Sequence, residues 1–91
     1  MPGPTFELLV RTGASGRWAI MLDGAEVGSV DVHVEPGRAR ALVVVGQHVD
    51  DDALDAIVTA FDQQVIPDDY RADVRFTVWR GDLLGTFAPE A

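Results

Sequence analysis

Residues 5–11, TFELLVR, alternate between an apolar set (Phe6, Leu8, Val10) and a second set (Thr5, Glu7, Leu9, Arg11). That period of two marks a half-buried strand. After the loop TGASG, Trp18, Ile20 and Leu22 alternate with Ala19 and Met21, and Asp23-Gly24 supplies a turn that tolerates positive φ. Val30, Val32 and Val34 then share a face against Asp31 and His33, but Val27 has the wrong parity for that set. A β-bulge at the intervening Gly28 restores the facing. EPGR (35–38) places Pro and Gly at the central positions of a type II turn. The hairpin closed there pairs Val34 with Ala39, Val32 with Ala41 and Val30 with Val43. His33 then lies opposite Arg40 and Asp31 opposite Leu42 on the other face.

The following run, ARALVVVG (39–46), is apolar on both faces, as expected of a central strand covered twice. Leu54, Ile57, Val58, Phe61 and Val65 next recur at helical spacing and predict an amphipathic helix over about 51–65. Asp50 stands at its N-cap, Asp51 and Asp52 at the positive end of its dipole, and Pro67 beyond its end. A further strand is expected around 70–79, with Tyr70, Ala72, Val74, Phe76 and Val78 on one face and Arg71, Asp73, Arg75, Thr77 and Trp79 on the other. Arg80-Gly81 is expected to turn it into a sixth strand, LLGTFA (83–88). WAIMLDGAEVGSV (18–30) and RFTVWRGDLLGTF (75–87) carry the same glycine punctuation, so both read as hairpins. The expected architecture is α+β: a mostly antiparallel sheet of about six strands in the order ββββαββ, with one helix on one face. One domain spans 1–91, with its ordered core at about 5–88.

Composition narrows the chemistry. The chain has 91 residues and no cysteine, which removes disulfides, thiolate catalysis and Cys-ligated metal. No basic leader precedes a long apolar run, so the chain is expected to be soluble and cytoplasmic. Fifteen acidic residues, eleven of them Asp, stand against seven Arg and no Lys, for a net charge of −8. A field of that sign argues against nucleic acid and anionic membrane as partners. No glycine-rich phosphate motif is present, and Asp50–Asp52 would repel a phosphate at the helix start. His48 with these aspartates is read as capping rather than as a metal site. No cofactor is expected.

Two candidate surfaces remain. Asp31, His33 and Glu35 share one strand face and have the chemistry of a general base or a ligand site, although any amphipathic strand needs outward polar residues. Trp18, Ile20, Leu42, Val44 and Trp79 are expected on the sheet face away from the helix, where they would be costly to leave in water. Either the C-terminal hairpin covers that face in a barrel-like monomer, or another chain does. The expectation drawn from these alternatives is a non-enzymatic protein-interaction or accessory domain that self-associates as a homodimer through these residues. A small-molecule-binding protein or enzyme centred on Asp31, His33 and Glu35 is the second reading. An acidic mimic of nucleic acid is the third.

Overall fold

The computed structural model describes residues 3–89. Its strands are β1 (Thr5–Arg11), β2 (Ser15–Leu22), β3 (Ala25–Glu35), β4 (Arg38–Gly46) and β5 (Val74–Gly81); one α-helix, α1 (Asp51–Gln64), and a 3-10 segment (Asp68–Asp73) lie between β4 and β5. The fold is therefore α+β. The five strands form one sheet in the order β1-β2-β3-β4-β5. The first three pairings are antiparallel, while β5 runs parallel to β4. Parallel neighbours require a crossover, and α1 with the 3-10 segment is that crossover.

Much of this layout follows the alternation pattern. The β3–β4 hairpin has the expected register, with Val30 opposite Val43, Val32 opposite Ala41, and His33 opposite Arg40. Between β2 and β3, Asp23 (φ 53°) and Gly24 (φ 82°) make a tight turn in the left-handed region. The register there shifts as Ile20 faces Gly28 but Met21 faces Glu26, so Val27 is the extra residue and joins the core. Gly28 is required at this bulge, because a Cβ would collide with the Val44 carbonyl oxygen on β4. Helix α1 starts where Asp50 accepts a hydrogen bond from the Ala53 amide at 2.8 Å.

The core lies between α1 and one sheet face. Ile20, Val30, Val43, Val45, Ile57 and Phe61 are almost wholly withdrawn from solvent. Phe61 is the hub: its ring meets Phe6 of β1, Trp18 of β2 and Phe76 of β5 edge to face, with centroids 5.0, 5.3 and 6.4 Å apart. Arg80, at the end of β5, holds Asp51 in the first turn of the helix at 2.5 Å.

Four expectations are corrected. The described residues form five strands, and residues 82–89 pair with nothing in the sheet, so among them there is no sixth strand and no C-terminal hairpin. The glycine pattern of 75–87 thus does not repeat the hairpin of 18–30, because Gly81 pairs in register with Gly46 as the last residue of β5. Residues 70–73 belong to the 3-10 segment rather than to a strand; Pro67 starts it, and Tyr70 donates its amide to the Pro67 carbonyl. Trp18 and Ile20 point toward the helix, since Trp18 lies opposite Val30 and against Phe61. The bulge expected at Gly28 applies to the partner strand as well: counted through it, Trp18 and Ile20 fall on the side of Val27 and Val30, and only a register without it sets them on the open face.

Candidate interface on the open sheet face

The sheet face opposite α1 carries no covering element among the described residues, and the ladder pairings lay it out in rows. One row runs Glu7, Ala19, Ser29, Val44, Trp79; the next runs Arg17, Asp31, Leu42, Thr77. Val10 joins the second row. Opposite β2, Leu8 faces Trp18 but Val10 faces Arg17, so Leu9 bulges out and moves Val10 away from the helix side. Exposure is 37% at Leu42, 40% at Val44, 57% at Val10 and 65% at Trp79, whereas the corresponding helix-side valines of β4 are at 0–1%. Of the residues expected on this surface, Leu42, Val44 and Trp79 are brought together here; Trp18 and Ile20 are not.

Val10, Leu42 and Thr77 floor a shallow depression of about 600 Å³ whose rim includes Arg17, His33 and Arg40. Asp31 and His33 border it as neighbours on one strand face, as their alternation predicts. Their hydrogen bonding does not build a general base. Arg17 grips Asp31 with two nitrogens, at 2.5 and 3.3 Å. That hydrogen bond, aided by the carboxylate charge, raises the Arg17 guanidinium further above its ordinary value. Glu35 is 3.9 Å from the His33 Nε2 and shares itself with Arg38 at the same distance. A catalytic imidazole needs an orienting partner at hydrogen-bond range, and neither carboxylate supplies it. Among the described residues, no three His, Asp or Glu side chains converge as a metal-ligand set.

Beyond the depression the charge changes sign. Arg40 reaches Asp73 with one nitrogen at 3.2 Å and another at 3.4 Å, Arg75 approaches the same carboxylate at 3.5 Å, and Arg38 at 3.7 Å. The Arg40 hydrogen bond, outweighing partial desolvation, keeps the Asp73 carboxyl below its usual range. Three arginines converge on Asp73 while Glu35 also pairs with Arg38, so this end of the face has a small excess of positive charge although the chain carries −8. The convergence was hidden in the sequence, since it depends on β5 lying parallel beside β4. At the far end stand Glu7 and Glu26, both exposed and on the open side, with Asp82 directly beyond β5.

The residues after β5 add apolar surface at that far end. Leu83, Leu84 and Phe87 are 86%, 90% and 79% exposed. No helix among the described residues is long and apolar enough to cross a membrane. The chain matches no protein-family model, and no curated protein or solved structure is significantly similar to it.

Proposed function

We propose that this chain is a protein-interaction domain whose open sheet face binds a second copy of itself. The observation that carries the reading is the exposure of Leu42, Val44 and Trp79 side by side on β4 and β5, with Val10 beyond the Arg17–Asp31 pair, on a sheet covered by a helix on its other side only. Five strands about 4.8 Å apart and about seven residues long present a flat footprint near 550 Å². The corrugation of side chains raises the accessible area toward the ~800 Å² per partner of a standard interface. Trp79 supplies the kind of large, rigid anchor that dominates such contacts. A small-molecule site on the same face is the weaker account, because its floor is shallow and Asp31 is already engaged by Arg17. The nucleic-acid mimic is weaker still: acidic residues on this face are interleaved with Arg17, Arg38, Arg40 and Arg75 rather than set out as an unpaired row.

Sedimentation equilibrium at several protein concentrations tests the reading. The dimer is expected, with its share rising from low to moderate salt as the mutual repulsion of two −8 chains is screened. Leu42→Asp and Trp79→Asp should each weaken it by more than about tenfold while leaving each chain folded. A monomer at high concentration in both salts would sink the proposal.

A further inference from the structure

We propose that the outer edge of β5 is a second self-pairing surface, at which two copies join with their β5 strands antiparallel about a two-fold axis perpendicular to the sheet. The two sheets then run on as one. The inference goes beyond the open face, which this contact leaves uncovered. β5 ends the sheet, its register with β4 is unbroken from Val74 to Gly81, and it contains no proline. Among the described residues, no backbone hydrogen bond outside the β4 ladder reaches it. Its outer N–H and C=O groups are therefore a template for another strand. The opposite edge is not equivalent, because β1 bulges at Leu9 and a bulge twists an edge strand away from further pairing.

The sequence of β5 is self-complementary in one register. In an antiparallel pair, residues directly opposite each other share a face, so the two-fold axis passes where a residue meets its own copy. A centre on Phe76 or Trp79 pairs only residues 74–78 or 77–81 of each strand. A centre on Thr77 pairs 74–80, and one on Val78 pairs 75–81. Centred on Val78, Phe76 would meet the partner's Arg80, and Arg75 the partner's Gly81. Centred on Thr77, Phe76 meets the partner's Val78 on the helix side, and Arg75 meets the partner's Trp79 on the open side. Symmetry makes each of these contacts twice.

Exposure along the strand fits the Thr77 centre. Val78 is 38% exposed although it lies on the helix side, in register with the fully buried Val43. The partner's Phe76 would cover it and carry the core across the edge, since Phe76 already packs on Phe61. Arg75 and Trp79 are both largely exposed. Directly opposed residues have Cβ atoms about 5 Å apart, close enough for a guanidinium to stack on an indole ring. Neither arginine of the strand faces its own copy in this register: Arg75 meets the partner's Trp79, and Arg80, already held by Asp51, meets the partner's Val74.

One strand against one strand is a smaller contact than the open face, so it joins open-face dimers into larger assemblies as concentration rises. Leu42→Asp, which breaks the open-face contact, isolates it. That variant should still dimerise at high concentration in sedimentation equilibrium. Adding Val78→Glu should weaken the remaining dimer by more than about tenfold, because a carboxylate is then set against the partner's Phe76. Thr77→Cys reads the register in the otherwise unchanged chain, which has no cysteine of its own. At the two-fold axis the new thiols lie on Cα atoms about 5 Å apart, within disulfide reach, whereas stacked sheets hold them about 10 Å apart, beyond it. Leu42→Cys, beside Thr77 on β4, is the control, because three strand spacings separate it from its copy by about 14 Å. With oxidised glutathione, Thr77→Cys should form a disulfide-linked dimer at least about tenfold faster than Leu42→Cys. Equal rates, a Leu42→Asp chain that stays monomeric at high concentration, or a Leu42→Asp dimer indifferent to Val78→Glu would each overturn the edge pairing and leave the open-face reading standing. Should Leu42→Asp fail to fold, the disulfide rates alone decide.

Discussion

In the middle of β4 the two faces of the sheet carry similar aliphatic residues and end in opposite states. On the helix side of β4, Ala39, Ala41, Val43 and Val45 are 0–4% exposed; on the other side Leu42 and Val44 are 37% and 40% exposed. The chemistry of these aliphatic side chains does not separate the two sets. The difference is Phe61, whose ring gathers β1, β2 and β5 under one helix. A single helix of 14 residues covers one side only, so an apolar face is a core where something packs on it and a surface where nothing does.

The sharpest way to break this contrast is to remove the hub. Phe61→Ala should lower unfolding free energy by ~3–5 kcal/mol, measured by urea denaturation, because a buried aromatic side chain leaves a cavity. Trp79→Ala, a truncation of equal severity on the open face, should change the stability of the isolated chain by no more than ~0.5 kcal/mol. Similar losses at both sites would mean that the faces are not distinct.

Gly28→Ala ranks next. The new methyl would meet the backbone of Val44 and Val45, which cannot rotate away as a side chain would. A destabilisation of ~1–3 kcal/mol is expected, and it should reach the open face too, since β3 and β4 must separate locally. Unchanged amide exchange protection of Val44 would contradict that coupling.

The smallest effect concerns the edge of the comparison, where Asp73 ties β5 to Arg40 of β4. Its folded carboxyl titrates below the ordinary value of 3.8. Stability from this group is therefore complete above that value and is lost as pH falls through the lower, folded value. Thermal unfolding followed from pH 5 downward should show a shallower loss in Asp73→Asn than in the parent chain. Parallel curves would remove Asp73 from the account.

The helix was legible because its signals are local: the stripe Leu54, Ile57, Val58 and Phe61, with Asp50 before it and Pro67 after it, needs no distant partner to be read. The register of the β3–β4 hairpin was equally legible, because a two-residue turn fixes which residues face each other. The candidate surface was read in part. Leu42, Val44 and Trp79 lie where alternation put them, whereas Trp18 and Ile20 lie on the opposite side, because one bulged residue reverses the facing of everything read across it. Nothing local in LLV distinguishes Leu9 as a bulge, so the arrival of Val10 on the open face had no signal.

What this sequence determined by itself was the set of short-range choices: where strands turn, where the helix starts and stops, and which residues alternate. Tertiary structure decided the rest. The parallel seating of β5 beside β4 and the reach of Arg38 and Arg40 to Asp73 join segments more than twenty residues apart in the chain. Strand pairing at such separations is set by which helix face is buried against which sheet face, a competition between packings that no local pattern of residues encodes.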